Sequence, residues 1–382
     1  MPPKKKAPLK VDAGAVAADE LKQAFPPIQL PVRPPFPPME AKLVPDIPSG
    51  PEWRYEPKWD GFRCLAFRKG REVLLQSKAG QPLGRYFPEL VEALRALEPQ
   101  QFVLDGEIVI LIGGRLSFDD LLMRIHPAES RIRKLSAATP ASLLVFDLLV
   151  DARGKSWVER PLAERREALE GFFASAGVDH KARRDSKGAE IRLSPSTRDR
   201  SMALRWIGEG QSTGLDGVMA KRADLAYASG ERTAMQKIKR IRTADCVVGG
   251  FRYASKGGAI GSLLLGLYND AGELDHIGFT SSFTAEQRRE LTPVVEPLKG
   301  GQGFTGKAPG GPSRWSTERS GEWEALKPRL VCEVRYDYFS GGRFRHGTKF
   351  LRWRPEKSPT QCTFDQVQGP AAEPDLLKMG LA

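Results

Sequence analysis

Short apolar runs alternate with charged and glycine-rich turns from Trp53 onward, a pattern that predicts β-strands with helices between them. Up to residue 240, we expect a strand, a turn and a second strand across 55–80, and further strands at 101–111, 142–150, 216–222 and 235–240. The polar triplet Asp105-Gly106-Glu107 predicts an interruption of the strand at 101–111. Apolar residues spaced three and four apart predict helices at 87–97, 160–173 and 198–210.

The pattern changes after residue 243, where strands dominate. Strands are predicted at 245–254, 261–270, 273–283, 330–340 and 343–354, with a hairpin turn at Asn269–Gly272. A helix is predicted at 284–298, with Thr284 as its N-cap. About five strands with one helix are typical of a small β-barrel of the OB type, a fold that commonly grips nucleic acid.

These patterns divide the chain into two domains and two tails. Residues 1–50 carry a basic run, Lys4–Lys6, and ten prolines between Pro26 and Pro51, so they predict an extended tail and linker with a short helix at 13–24. An α+β domain is expected at 51–241 and the barrel at 242–360, with the boundary near 240–243. Residues 361–382 are expected to form a frayed tail.

The overall charge indicates the type of partner. The chain has 382 residues, with 59 Lys and Arg against 47 Asp and Glu, which gives a net charge of +12. This excess favours a polyanion such as nucleic acid, although solvated surface charge would give the same count. The four scattered cysteines predict neither a zinc finger nor a disulfide framework and fit a reducing cytoplasm. Apolar runs fall short of the ~20 residues that span a bilayer.

A candidate nucleophile stands in the segment Lys58-Trp59-Asp60-Gly61-Phe62-Arg63. A lysine amine attacks phosphorus only after it has lost its proton, which at pH 7 costs about 4.6 kcal/mol for an ordinary lysine. Neighbouring cations such as Arg63, and a metal ion, would lower that cost. Gly61 would permit a tight turn beside a bulky ligand. Taken alone, the segment also fits a surface lysine in a charged hairpin.

Further charged residues recur in otherwise apolar strands. Glu107 and Asp216 could face one lysine-rich cleft and hold Mg²⁺, although each also fits a paired structural carboxylate. Lys237 and Lys239 alternate on one strand face and, with Lys221, would suit a triphosphate, although a solvated face has the same pattern.

Taken together, these elements resemble the covalent nucleotidyltransferase superfamily of DNA ligases, RNA ligases and capping enzymes. Five elements stand in the family's order: Lys58–Arg63, Asp105–Glu107, Phe146-Asp147, Asp216–Lys221 and Lys237–Lys239. A sixth, Arg354–Lys357, resembles the closing motif of the OB domain. The resemblance covers about residues 50–360, and the segment 343–357 is most similar to bacterial ATP-dependent ligases of the ligase C and ligase D type. It implies an adenylation domain of antiparallel sheets flanked by helices, followed by an OB-fold barrel.

The resemblance also implies a role for each matching residue. Lys58 would take AMP from ATP and release pyrophosphate. Glu56 would recognise the adenine amino group, Phe146 would stack on adenine, and Arg354 and Lys357 would orient the pyrophosphate. The implied catalytic set is Lys58, Arg63, Lys237 and Lys239. The implied nucleotide contacts are Glu56, Lys58, Arg63, Lys78, Glu107, Phe146, Lys221, Lys237, Lys239, Arg354 and Lys357, and the implied ligands of Mg²⁺ or Mn²⁺ are Glu107 and Asp216.

Four positions depart from the family pattern. Asp216 stands where glutamate is usual and is one methylene shorter, Met235 replaces an aromatic residue, and Glu356 replaces aspartate. Lys78 replaces an arginine and cannot make the two-pronged phosphate contact of a guanidinium. These departures bear on rate and metal geometry more than on the class of reaction.

The resemblance thus predicts an ATP-dependent DNA ligase that seals 5′-phosphate/3′-hydroxyl nicks in duplex DNA, in repair or end joining. The expected partners are nicked DNA and bacterial end-joining or gap-repair proteins, and we expect a monomer at the nucleoid in the cytoplasm. With 57 residues before Lys58 and no added polymerase or nuclease module, a stand-alone enzyme is expected. An RNA ligase, a capping-type guanylyltransferase and a catalytically silent nucleic-acid-binding protein remain alternatives.

Overall fold

The chain forms two compact units, the first ending at Ile238 and the second beginning at Lys239. The computed structural model describes residues 25–176, 188–213, 215–240, 242–254, 258–310 and 322–367. The change of unit falls just before the boundary expected at 240–243. The helix predicted at 13–24 lies outside the described residues.

The first unit contains the predicted strands of the adenylation domain. Its described strands are β1 (Lys42–Leu43), β2 (Trp53–Lys58), β3 (Phe62–Lys69), β4 (Glu72–Ser77), β5 (Gln101–Ile112), β6 (Arg115–Leu116), β7 (Ala141–Val150), β8 (Glu190–Leu193), β9 (Gly217–Arg222) and β10 (Met235–Lys239). Its described helices are α1 (Pro88–Ala96), α2 (Phe118–Met123), α3 (Glu129–Ala138), α4 (Leu162–Ser175), α5 (Arg200–Thr213) and a 3₁₀ turn at Gly84–Tyr86. The elements β1, β6, β8, α2 and α3 were not expected from the sequence.

Two sheets organise this unit. One has the order β1-β10-β9-β2, and the other has the order β4-β3-β5-β7-β8, with β6 beside β5. The expected antiparallel pairing holds for most neighbouring strands, with two exceptions: β1 pairs with β10 in parallel, and β7 pairs with β8 in parallel. Helix α4 lies between β7 and β8 in the chain, and parallel neighbours require a crossover of this kind.

Strand β5 runs without a break through Asp105-Gly106-Glu107, so the predicted interruption is wrong. The polar triplet instead appears as a register shift against β7 between Asp105 and Gly106. Asp105 is fully buried, and its charge is compensated by an arginine and a tyrosine from elsewhere in the chain. A Cβ on Gly106 would lie 2.8 Å from the carbonyl oxygen of Leu144, so the close approach of β7 favours glycine.

The segment 25–48 belongs to the first unit and is more than a linker. It is extended, as its prolines predict, and it buries Ile28, Leu30, Val32 and Met39 in the same cluster as Phe67 and Val103. Its strand β1 pairs with β10, and the backbone N–H of Val44 donates to the carbonyl oxygen of Lys237. This segment therefore does not behave as a tail, because its apolar side chains are buried in the core of the first unit.

The second unit is a barrel. Its strands are β11 (Arg242–Tyr253), β12 (Ile260–Tyr268), β13 (Leu274–Thr280), β14 (Glu324–Ala325), β15 (Val331–Tyr336), β16 (Phe339–Ser340), β17 (Arg343–Phe344) and β18 (Lys349–Trp353). The main sheet has the order β13-β12-β11-β15-β18, with β14 beside β11. Thr280 at the end of β13 forms a parallel bridge with Thr348 before β18, so the two edge strands meet and close the sheet. This closure confirms the OB-type barrel.

Local signals in this unit had mixed success. Thr284 caps α6 (Ala285–Val295) through a capping box with Gln287, and Asn269–Gly272 forms the predicted turn. Each of the long strands predicted at 330–340 and 343–354 is divided in two, because β16 and β17 form a separate ribbon. Short 3₁₀ turns lie at Glu296–Leu298, Pro359–Gln361 and Phe364–Gln366.

The predicted C-terminal tail is ordered at its start. Cys362 is fully buried in the core of the second unit, and Phe364 and Val367 pack against that core. Residues 368–382 lie outside the described part of the chain. Among the helices that the structure describes, none is long and apolar enough to cross a membrane.

Candidate active site

Strand pairing places Lys58 beside Asp216. Strands β2 and β9 are antiparallel, with Lys58 opposite Gly217, and the backbone N–H of Asp216 donates to the carbonyl oxygen of Lys58 at 3.0 Å. The side chains then meet, with Lys58 Nζ 2.6 Å from Asp216 Oδ2. Aspartate therefore reaches the lysine directly, although it is one methylene shorter than the glutamate usual in the family.

The glycine after Asp60 allows β3 to approach β5 closely. A Cβ on Gly61 would lie 2.2 Å from the carbonyl oxygen of Ile108 and 2.9 Å from Cγ of Glu107. Contacts that short essentially never occur, so a larger residue would push the strands apart. Gly61 thus holds Glu107 close to the turn that follows Lys58.

Arg63 is held by a buried network. Its guanidinium donates to both carboxylate oxygens of Asp105, with Nη2 2.6 Å from Oδ2, and lies 4.6 Å from the ring centre of Phe146. The hydroxyl of Tyr227 donates to Asp105 at 2.6 Å and accepts from the backbone N–H of Met39 at 3.0 Å. The two-pronged pair fixes the plane of the guanidinium.

Glu56 and Lys221 form a second buried pair on neighbouring strands. Their closest atoms are 2.6 Å apart, and both side chains are about 2–3% exposed. The other carboxylate oxygen of Glu56, Oε1, is buried without a hydrogen-bond partner among the described residues. Lys221 Nζ also lies 4.3 Å from the ring centre of Phe146. An unpaired buried acceptor is costly, so Oε1 is suited to a donor on a ligand.

These side chains line one cleft in the first unit. The cleft has a volume of about 190 Å³ and opens to solvent on one side. Its lining includes eight of the predicted site residues: Glu56, Lys58, Arg63, Lys78, Glu107, Phe146, Lys221 and Lys237. The rest of the lining consists of residues 38–41, Pro57, Trp59, Met219 and Met235. The structure therefore gathers in one place groups that lie up to 181 positions apart in the sequence.

At the cleft's edge, Lys78 makes a loose contact. Its Nζ lies 3.5 Å from Glu40, which also pairs with Arg232 at 2.8 Å. Lys78 is well exposed, and exposed ion pairs of this kind contribute little stability. Lys78 is therefore free to exchange Glu40 for a ligand at small cost.

The environment of Lys58 differs from the expected one. Burial alone would lower the pKa of its amine, but Asp216, Glu107 and Asp60 together raise the pKa above its ordinary value. The expectation that neighbouring cations lower this pKa is wrong, because the groups that dominate are carboxylates. The amine is therefore held as an ammonium at neutral pH.

Glu107 lines the cleft, whereas Asp216 is not part of its lining and reaches the site through its ion pair with Lys58. Burial raises the pKa of Glu107 to about 7, against the opposing effect of Arg63 and Lys58. No cluster of three or more His, Cys, Asp or Glu side chains suited to a metal occurs among the described residues. Mg²⁺ commonly takes one or two carboxylates and completes its shell with water and substrate phosphates, so these two residues fit such an ion.

Three predicted site residues belong to the second unit. Lys239 Nζ lies 3.3 Å from Asp337, and Arg354 and Lys357 each lie 2.8 Å from one oxygen of Asp245. None of the three lines the cleft of the first unit. Each is paired with a carboxylate of its own unit.

Comparison with known proteins decides the family. The family model described as "ATP dependent DNA ligase domain" matches residues 38–239. A second family model, described as "ATP dependent DNA ligase C terminal region", matches residues 256–357. The chain belongs to the ATP-dependent DNA ligase family. It is therefore a DNA ligase that uses ATP and a divalent metal, and the capping, RNA-ligase and silent-protein alternatives are not supported.

Relatives of the ligase C type are similar over almost their whole length. DNA ligase C1 of Mycolicibacterium smegmatis is 44% identical over 90% of this chain and 97% of the relative. DNA ligase C of Mycobacterium tuberculosis is 43% identical over 90% and 96%. The multifunctional non-homologous end joining protein LigD of Mycobacterium bovis is 27% identical over 81% of this chain and 37% of that protein.

A solved structure shows the same fold. The structure "Pmar-Lig_Pre" has a TM-score of 0.53 and 19% identity, over 79% of this chain and 63% of that one. The ligase fold thus covers both units of the chain.

Several residues that contact the predicted site residues are not indicated by the sequence pattern. The sequence indicates Asp105 only as part of an acidic triplet. Tyr227 gives no signal, because it lies 122 positions from Asp105, its hydrogen-bond partner. Residues 38–41 were assigned to a tail although they form one wall of the cleft. The sequence predicts Asp245 only as the first residue of a strand. Their roles depend on long-range contacts that no local spacing encodes.

Proposed function

We propose that Lys58 is the residue that carries AMP during ligation. The observation that supports this most directly is the position of its amine, in the cleft and 2.6 Å from Asp216. In the first step, Lys58 Nζ forms a bond to the α-phosphorus of ATP, the bond to the β-phosphate oxygen breaks, and pyrophosphate leaves. The amine must first lose the proton that its carboxylate neighbours stabilise.

The remaining first-unit residues would bind the nucleotide. Glu56, with its unpaired Oε1, is suited to accept from the adenine amino group, and Phe146 is suited to stack on the ring. Arg63 would contact ribose and later the nicked strand, and Lys221 would hold the Glu56 side chain in place through their ion pair. Lys78 and Lys237 would add cationic charge for the phosphates, the polyanionic part of ATP.

Glu107 and Asp216 would hold the divalent cation. When bound, the cation would neutralise negative charge on the phosphates. Lys239, Arg354 and Lys357, from the second unit, would supply further phosphate charge in the first step. Catalysis of this kind depends on positioning and on stabilisation of charge, which suits a site built from paired acids and cations.

Two further transfers would complete the reaction. An oxygen of the 5′-phosphate at a nick attacks the phosphorus of lysyl-AMP, the P–N bond breaks, and AMP passes to the DNA end. The 3′-hydroxyl, having lost its proton, then attacks the 5′-phosphate, a phosphodiester forms, and AMP leaves.

The biological setting is inferred from the relatives. Similarity to an end-joining protein and to ligase C proteins supports a role in repair or end joining of nicked duplex DNA, in concert with end-joining or gap-repair proteins. We place the enzyme at the nucleoid in the cytoplasm and expect a monomer. The net charge of +12 is suited to the DNA backbone.

The proposed function is tested by sealing of a nicked duplex with ATP, GTP and NAD⁺ in parallel. We expect sealing with ATP alone, and none with ATP when Lys58 is replaced by alanine. A matched substrate with RNA strands at the nick tests whether the enzyme seals DNA rather than RNA. Sealing by the Lys58→Ala variant, or sealing that depends on GTP or NAD⁺ in place of ATP, would contradict the proposal.

A further inference from the structure

We propose that Asp245 is a positioning residue that holds Arg354 and Lys357 ready for the first step, an inference that rests on the phosphate role proposed for these two cations. Asp245 lies on β11 and has no place in the motifs that identify the family in this sequence. One carboxylate oxygen pairs with Arg354 Nη1 at 2.8 Å and the other with Lys357 Nζ at 2.8 Å. A single carboxylate thus links both cations.

Asp245 is firmly anchored in the second unit. It is 8% exposed and lies between Ala244 and Cys246, which are both buried in the core. Its backbone N–H donates to the side chain of Gln366, and its carbonyl oxygen accepts from the same amide group. Its backbone also stands opposite Glu333 in the antiparallel pairing of β11 with β15. The carboxylate therefore starts from a backbone that is fixed on several sides.

The two cations reach this carboxylate because of a turn. The backbone N–H of Arg354 donates to the carbonyl oxygen of Val331, which fixes the end of β18. The N–H of Lys357 donates to the carbonyl oxygen of Arg354 at 3.1 Å, which closes a turn of four residues. This turn brings the two long side chains to one side, where Asp245 accepts from both.

Pairing with Asp245 orients each cation without using all of its donors. Arg354 uses one N–H of five on Asp245 and another on the exposed Glu356, and Lys357 uses one of three. Donors thus remain for phosphate oxygens. Long lysine and arginine side chains lose much rotamer freedom on ordering, and a site that orders them in advance gains rate. By contrast, Glu356 is exposed and pairs with Arg354 alone, so it orients one cation weakly.

The proposal is tested by separating the first step from the last one. The first readout is single-turnover formation of the AMP adduct from ATP. The second is sealing of a nick whose 5′-phosphate already carries AMP, which bypasses the first step. We expect Asp245→Asn to slow adduct formation about tenfold or more and to change the second readout by less than about twofold. Asp245→Glu, which keeps the charge, should restore much of the rate.

Two sets of variants make the result specific. Glu324→Gln removes a carboxylate charge from the same unit, where it pairs with Lys299 at 3.7 Å, and should leave both readouts unchanged. Arg354→Ala and Lys357→Ala should each slow adduct formation. If they do not, the phosphate role of the two cations is wrong and the inference falls with it, while the Lys58 adduct itself remains intact.

If Arg354→Ala and Lys357→Ala do slow adduct formation, two results would still overturn the inference about Asp245. If Asp245→Asn slows both readouts equally and lowers the unfolding midpoint in urea, Asp245 is merely a structural carboxylate. If Asp245→Asn leaves adduct formation unchanged or accelerates it, the carboxylate does not position the cations and at most competes with ATP for them.

Discussion

The amine of Lys58 and the carboxylate of Asp216 form an ion pair of 2.6 Å, built from facing ends of β2 and β9. Backbone pairing of the two strands fixes this relationship, because Asp216 also donates its N–H to the carbonyl oxygen of Lys58. The Lys58 amine is therefore held in one place as an ammonium. In the proposed first step, this amine must release its proton before it can attack ATP.

Replacing Asp216 by asparagine should slow formation of the AMP adduct about 100-fold or more, because the amine loses its orienting partner and the cation loses a ligand. Asp216→Glu keeps the charge and should retain more activity than Asp216→Asn. Single-turnover labelling with α-labelled ATP measures both. Equal rates for Asp216→Asn and the unaltered enzyme would contradict the role given to this pair.

Replacing Gly61 by alanine should slow adduct formation about 100-fold while the protein still folds, because the added Cβ forces β3 away from Glu107. Gly171→Ala in α4 is the matched control, since nothing lies within 4 Å of its added Cβ. That control should gain about 0.5–1 kcal/mol of stability and keep its activity. Full activity in Gly61→Ala would show that the close approach is unnecessary.

Replacing Leu30 by alanine should lower the free energy of unfolding by about 2–4 kcal/mol, because Leu30 is 2% exposed in the core of the first unit. Leu43→Ala in the same segment should cost less than about 1 kcal/mol, since Leu43 is 58% exposed. Urea unfolding followed by fluorescence measures both values. Equal, small losses would mean that the segment 25–48 is a detachable tail after all.

The stability of the second unit should depend on pH through His276. Burial, with smaller effects of Arg252 and Arg343, lowers the pKa of His276 from 6.5 to about 4, and its Nε2 has no hydrogen-bond partner among the described residues. Between these two values the unfolded chain binds the proton more readily. Stability is therefore full above pH 6.5 and falls by up to about 3 kcal/mol as the pH drops to 4.

His276→Phe removes this proton uptake. The difference in unfolding free energy between the variant and the unaltered protein should shift in favour of the variant by about 2–3 kcal/mol between pH 7.5 and pH 4.5. Urea unfolding at a series of pH values measures it. A difference that stays constant with pH would show that His276 is not held neutral.

Local sequence patterns identified most of the cleft, and the reason is physical. Lys58, Glu107 and Lys221 lie on strands whose apolar spacing is recognisable, and each charged residue is conspicuous because burial of a charge is costly. Resemblance to a family then supplied their roles. Short-range signals such as the Thr284 cap were equally reliable, because a cap is built from residues three positions apart.

Contacts between residues distant in sequence that satisfy a buried charge could not be predicted in the same way. The break expected at Asp105 is absent because Arg63 and Tyr227 satisfy its carboxylate, and Tyr227 is distant in sequence. The short helices α2 and α3 were not expected, since each buries only one apolar residue. The pairing of Asp245 with two cations depends on a turn and a strand that are over 100 residues apart.

The most direct test of this account is to locate the AMP adduct. After reaction with α-labelled ATP and divalent metal, mass spectrometry of peptides should find AMP on Lys58. Lys58→Arg keeps the positive charge beside Asp216 but cannot lose its proton, so it should fold and carry no label. The exposed Lys69→Arg is the matched control and should label fully. An adduct on another lysine, or a labelled Lys58→Arg protein, would contradict the account.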